Sequence, residues 1–164
     1  MPAHLHPDGR SAAGSTLISR QAGQASIKGN TPKILAGIAK AAAKGTPLAA
    51  MTLYDPVLSD YFSTIPATQG LGEASAVLAK QVNDVITAAD TAAHFKTADV
   101  AGAFATYDST TMVAFRGTQI PLNVARVCAW TWACTSPPSG PNIHANKNGY
   151  AVIASAFAKA IGRL

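Results

Sequence analysis

Apolar positions along the chain fall into helix-like and strand-like runs separated by turn residues. Ile34, Leu35, Ile38 and Ala41 or Ala42 recur at three- and four-residue spacing behind Thr31-Pro32, a capping residue followed by a proline at the first helical position. Gly45 stops that run, so a helix is predicted over residues 31–44. Residues 48–54 form a short apolar run entered through Pro47 and left through Asp55-Pro56, the pattern of a buried strand that ends in a loop. Ala74, Val77, Leu78, Val82, Val85, Ile86 and Ala89 then share one helical face, with Lys80, Asn83, Asp84 and Thr87 off it; this predicts an amphipathic helix from near Gly72 to near Asp90. Residues 95–100 read as a second strand. Strand, helix, strand is the unit of a parallel sheet, and the expected fold class is α/β.

Beyond Val100 the pattern predicts a helical turn at residues 101–105 and a loop rich in Thr, Ser and Gly through Gln119. A helical segment over residues 121–134 carries both tryptophans, and Pro137, Pro138, Gly140 and Pro141 then forbid regular structure. Tyr150, Ile153, Phe157, Ile161 and Leu164 define a final helix capped by Asn146. Only two strands are legible, whereas a sheet averages about five or six. Part of a sheet is therefore missing, and no internal repeat fills the gap.

Composition narrows the function classes. A chain of 164 residues with 48% hydrophobic content and 13% charged residues is long and apolar enough for one globular core. The net charge of +5 is concentrated at the start, where residues 1–44 hold six basic side chains against Asp8 alone; the remainder is balanced, seven against seven. Residues 1–30 have no sustained apolar period and carry turn-forming residues throughout, so they are expected to be a basic, disordered tail. No aromatic residues interleave with these charges and no recognition helix is visible, which argues against nucleic-acid binding. Met1 to Asn30 lacks the apolar core of a secretory signal, and Lys40 and Lys44 interrupt the alanine-rich stretch, so neither a signal peptide nor a transmembrane segment is expected.

Chemistry concentrates near the end. His144 follows a proline-rich loop and precedes the cap of the last helix, a place where catalytic bases are often held, although a solvated surface histidine is the plainer reading of the position alone. Cys128 and Cys134 lack the further ligands of a zinc site, which leaves free thiols or a disulfide. His4 and His6 form a His-x-His pair without carboxylates or cysteines nearby, too little for a metal site.

The run Pro141-Asn142-Ile143-His144-Ala145-Asn146, followed by Gly149-Tyr150 and an apolar helix, resembles the C-terminal histidine block of SGNH/GDSL ester hydrolases. Met51-Thr52-Leu53-Tyr54-Asp55-Pro56, Ala98-Asp99-Val100 before Ala103-Phe104, and Val124 through Trp132 match in the same order, so the likeness spans residues 31–164 and is nearest the secreted actinobacterial-type lipases and esterases. The resemblance implies a partial three-layer α/β/α, flavodoxin-like parallel sheet without its N-terminal strands. It also implies a small ester or lipid substrate, no cofactor, and His144 as general base toward a serine hydroxyl. The apolar residues 57–65, with Tyr61 and Phe62, suit an acyl-facing wall as well as an ordinary core. The family's secreted character favours a Cys128–Cys134 disulfide in an oxidising compartment; expressed as given, the chain is expected in the cytoplasm.

Two departures stand out. The family's aspartate three residues before the histidine is here Pro141, which leaves a backbone carbonyl in residues 137–142, Asp99 or Asp108 to orient the imidazole. There is no Gly-Asp-Ser nucleophile segment and no Gly-x-Asn-Asp oxyanion segment, and Ser11, Ser15, Ser19 and Ser26 follow no predicted strand on a tight turn. A truncated or frame-shifted gene or a mis-set start would explain both absences, and residues 1–30 are then expected to be foreign to the family. The expectation is a hydrolase fragment that is inactive alone, with a non-catalytic folded remnant or interaction module as the alternative.

Overall fold

The computed structural model of the protein describes residues 12–162. The molecule is a mixed α/β structure with one parallel pair of strands and a separate antiparallel pair. Helix α1, Ala12–Ala41, leads to β1, Ala49–Met51, and a 3₁₀ segment, Pro56–Phe62. Helix α2, Pro66–Ala92, returns the chain to β2, Lys96–Ala98, and the single turn α3, Val100–Ala103. Strands β3, Met112–Phe115, and β4, Thr118–Pro121, precede α4, Leu122–Trp130, and α5, Lys147–Ile161.

The strand–helix–strand unit is present, with β1 parallel to β2 in the register Ala49 to Lys96. Lys96 N donates to Leu48 O and Thr52 N to Ala98 O. Ala50 therefore faces β2, while Ala49 and Met51 turn their N–H and C=O groups to the opposite edge, without backbone partners among the described residues. Both strands are shorter than their apolar runs. Leu53, which like Ala49 and Met51 faces away from β2, is satisfied by the buried side chain of Asn83: Leu53 N donates to Asn83 Oδ1 at 2.7 Å and Asn83 Nδ2 donates to Leu53 O at 2.8 Å.

Three expectations need correction. The first helix begins at Ala12, not at Thr31, so residues 12–30 are helical where a disordered tail was expected; residues 1–11 lie outside the described residues. Pro32 sits inside this helix in an exposed turn, and Thr31, instead of capping, donates its hydroxyl back to Ile27 O at 2.8 Å. The stretch expected to be a loop through Gln119 contains the β3–β4 hairpin, turned by Arg116 and Gly117 at φ 49° and 86°. Its strands are only four residues long, and two successive positive φ values are the mark of a tight hairpin turn. The fourth helix stops at Trp130 rather than Cys134 because Thr131 is extended, pairs with Ala145, and uses its hydroxyl to cap Val127 O at 2.7 Å.

Leu58, Val100, Phe104, Ile120, Val124 and Val127 form the centre of the core. Phe104 is fully buried, stacks on Tyr54 at 4.5 Å between ring centroids and meets Trp130 edge-on at 5.1 Å. Such contacts add about 0.5–1.5 kcal/mol each beyond area burial. Helices α2 and α5 both pack on the parallel pair. The aromatic stack joins the loop after β1 to the end of α4, the two places from which the histidine loop is held.

Candidate active site

Residues 131–146 form a strap between α4 and α5. Thr131 and Ala145 make an isolated antiparallel bridge, and Trp132 N donates to His144 O at 3.0 Å while Asn142 N donates to Trp132 O at 3.2 Å. Proline-rich sequence between these points cannot continue the ladder, so the chain loops out and returns. Asn146 closes the strap: its Oδ1 caps α5 through the N–H groups of Asn148 and Gly149, and its Nδ2 donates to Ala129 O at 2.9 Å. The predicted cap thus also anchors the histidine loop.

His144 is exposed, and its Nδ1 lies 3.2 Å from Asn142 Oδ1. The same oxygen accepts from His144 N at 3.0 Å, while Asn142 Nδ2 donates to Ser139 O at 2.7 Å. With the NH₂ committed to a carbonyl, the amide presents its oxygen to the ring. An acceptor facing Nδ1 places the proton there and leaves Nε2 with its lone pair, the tautomer a general base requires. Asn142 therefore orients the ring. Neither a backbone carbonyl nor Asp99 or Asp108 holds that bond.

The other expected acids are occupied locally. Asp99 caps α3, accepting from Gly102 N at 2.8 Å. Asp108 accepts from Thr111 N at 2.9 Å and from both Thr110 groups, and these bonds hold its carboxyl below the usual range. His94 occupies the turn between α2 and β2 at φ 59° and bonds no residue of the strap. Ser26 accepts from Asn30 within α1 at 3.1 Å, away from any strand-to-helix turn. His4, His6 and Ser11 lie outside the described residues. Among the described residues, no three His, Cys, Asp or Glu side chains converge on a common point.

Two further contributors join the site from afar. Tyr54 donates its hydroxyl to Ile143 O at 2.7 Å, immediately before His144; burial, with Tyr150 nearby, pushes the phenol above its ordinary value and keeps it a donor. An open cavity of about 490 Å³ adjoins the strap, lined by Phe62, Phe115, Ala133, Cys134 and Pro141 together with the polar Ser59, Asp60, Ser63, Arg116 and Thr118. Phe62 therefore faces this cavity, whereas Tyr61 faces a separate one with Leu58 and Val124. A larger hollow of about 760 Å³ runs along α5 against Thr97 and Asp99 and touches no residue of the strap.

Sequence reading missed Asn142 and Tyr54 as positioning groups. Asn142 was legible in principle, since an Asn two residues before a loop residue readily accepts that residue's N–H. Tyr54 was not, because its contact joins residues far apart in the chain. Cys128 and Cys134 are disulfide-bonded, with their Cα atoms 5.0 Å apart. In comparisons with known proteins, no family model, no curated protein and no solved structure matches the chain.

Proposed function

We propose that this chain supplies the general-base histidine of a serine ester hydrolase of SGNH/GDSL type. One observation carries the reading: Asn142 holds the Nδ1 side of His144 and leaves Nε2 open on an exposed strap. In that role Nε2 takes the proton of a serine hydroxyl as it attacks the ester carbonyl and returns it to the leaving alcohol. A neutral amide fixes the tautomer but gives the imidazolium less charge stabilisation than a carboxylate. The cavity beside Phe62, Phe115 and Pro141 suits the acyl group of a small ester or lipid.

The chain carries no Gly-Asp-Ser or Gly-x-Asn-Asp sequence, so turnover requires a segment that brings the nucleophile and oxyanion donors. The open edge at Ala49 and Met51 supports this, since it can accept a further strand of a larger three-layer sheet. The disulfide fits an oxidising compartment, where we place the working protein. No helix among the described residues is long and apolar enough to cross a membrane.

The test replaces residues 1–30 with an SGNH N-terminal segment carrying both motifs. The native chain should hydrolyse short p-nitrophenyl esters no faster than buffer, and the fusion should be active. His144→Ala should remove most of that activity and His94→Ala little of it. A folded fusion equally active with Ala at 144 refutes the general base and leaves the non-catalytic module as the better reading.

A further inference from the structure

The disulfide and the strap form one mechanical unit. Cys128 lies in the last turns of α4 and Cys134 just past its end, so the closed ring contains residues 129–133. The backbone of that ring makes the bonds that hold the histidine loop: Ala129 O and Trp130 O accept from Asn146, Trp132 N donates to His144 O, and Trp132 O accepts from Asn142 N. The orienting residue, the base and the anchor of the strap thus all rest on peptide groups inside one disulfide ring.

The two sulfurs differ in access. Cys128 is 5% exposed and belongs to the core, whereas Cys134 is half-buried and forms part of the wall of the open cavity beside Pro141. A nucleophile entering that cavity meets Cys134 first. Fully buried Thr131, bonded through its hydroxyl to Val127 O and Ala133 N, pins the middle of the ring to the core by bonds that do not involve the sulfurs.

We propose that Cys134 Sγ is a thiol-exchange site, and that its reduction by a dithiol, small or protein-borne, releases His144 from its fixed tautomer. The reductant's thiolate attacks Cys134 Sγ, the Cys128–Cys134 bond breaks, and Cys128 leaves as a thiolate that takes a proton. The reductant's second thiol then attacks the mixed disulfide, freeing Cys134 as a thiol and closing the reductant's own disulfide. Two electrons and two protons pass to the protein. The core stays in place, while Trp132 and the peptide groups that carry the loop gain freedom. The inference rests on the general-base reading only for what the switch controls.

The experiment uses the full chain labelled with ¹⁵N, at about pH 8, where histidine is neutral. Long-range imidazole spectra are recorded before and after dithiothreitol, with mass spectrometry counting free thiols. The oxidised chain should show His144 with one protonated and one bare ring nitrogen. On reduction its two nitrogen shifts should converge toward the averaged values of a mobile ring, and exchange of the Trp132 and Asn146 amides should quicken roughly 50-fold, as loop-closure entropy for a ring this small implies. His94, on the turn after α2, should not move. The double variant Cys128→Ser/Cys134→Ser should reproduce the reduced spectrum without reductant.

An unchanged His144 pattern in a chain with two free thiols overturns the proposal. So does resistance of the native disulfide to dithiothreitol, which would show Cys134 out of reach. Loss of His94 and core signals together with His144 overturns it too, because the disulfide is then a general staple. None of these outcomes depends on ester hydrolysis, so failure of the hydrolase reading remains a separate result.

Discussion

Asn83→Ala tests whether a side chain can stand in for a missing strand. The Asn83 amide is 3% exposed and makes three hydrogen bonds, two with the backbone of Leu53 and one, at 2.8 Å, to the Tyr107 hydroxyl. A net hydrogen bond is worth about 1 kcal/mol, and a buried group left unpaired costs about 1–3 kcal/mol. Leu53 and Tyr107 are both partly exposed, at 45% and 41%, so water recovers some of what the amide gave. The expected loss is therefore about 2–3 kcal/mol, a large share of the roughly 5–15 kcal/mol that holds a domain together. Urea unfolding followed by circular dichroism should show a lower midpoint at unchanged slope. Tyr107→Phe, which removes one of the three bonds, should cost about 1 kcal/mol or less. A loss under about 0.5 kcal/mol for Asn83→Ala, the size of an ordinary surface change, would refute the argument.

Gly149→Ala should destabilise the chain by about 1–3 kcal/mol, because a Cβ there would run into Trp130 O and Ala145 Cβ, where α5 meets the strap; thermal melts would show it, and an unchanged melting temperature would count against the packing described. Arg116→Asn should raise the melting temperature, since Asn-Gly suits a turn with two positive φ values, whereas Gly117→Ala should lower stability by about 1 kcal/mol. Asp90 is fully buried with Oδ1 unpaired, and burial raises its carboxyl above the ordinary value despite a bond from Thr97. Its ionised form is thus penalised on folding: the penalty is absent below the unfolded value of about 3.9, grows as pH rises toward the folded value, and is full above it. The stability of Asp90→Asn relative to the native chain should therefore improve as pH rises from about 4 to 7 in urea titrations, and a pH-independent difference would sink the assignment.

Much of the architecture was legible because its signals are local. The periodicity of residues 74–89 and 150–161, the cap at Asn146 and the two apolar runs before Asp55 and Asp99 led to the parallel unit and its helices. What was hidden depends on partners. Asn83 was placed off the apolar face yet is buried, because its amide satisfies Leu53; Val77 was placed on that face yet is 65% exposed. Thr31-Pro32 looked like a helix start because proline suits a first turn, but an exposed turn inside α1 tolerates it as well. His144 was singled out by its neighbours in sequence, and the group that orients it turned out to be the nearest available acceptor, two residues away.

The parallel pairing of β1 with β2 has a consequence for how the chain reaches its folded state. Ala49 must find Lys96 across a long connection, and an unstructured connection would exact its closure entropy before the first ladder bond formed. Most of that connection is the 27-residue helix α2, a rod of about 40 Å that carries the chain back toward its start and brings Asn83 to Leu53 on the way. A formed α2 with Asn83 docked on Leu53 therefore leaves less closure entropy to be lost when the strands meet. By its length and rigidity α2 shortens the search that a parallel, non-local pairing otherwise imposes on the chain.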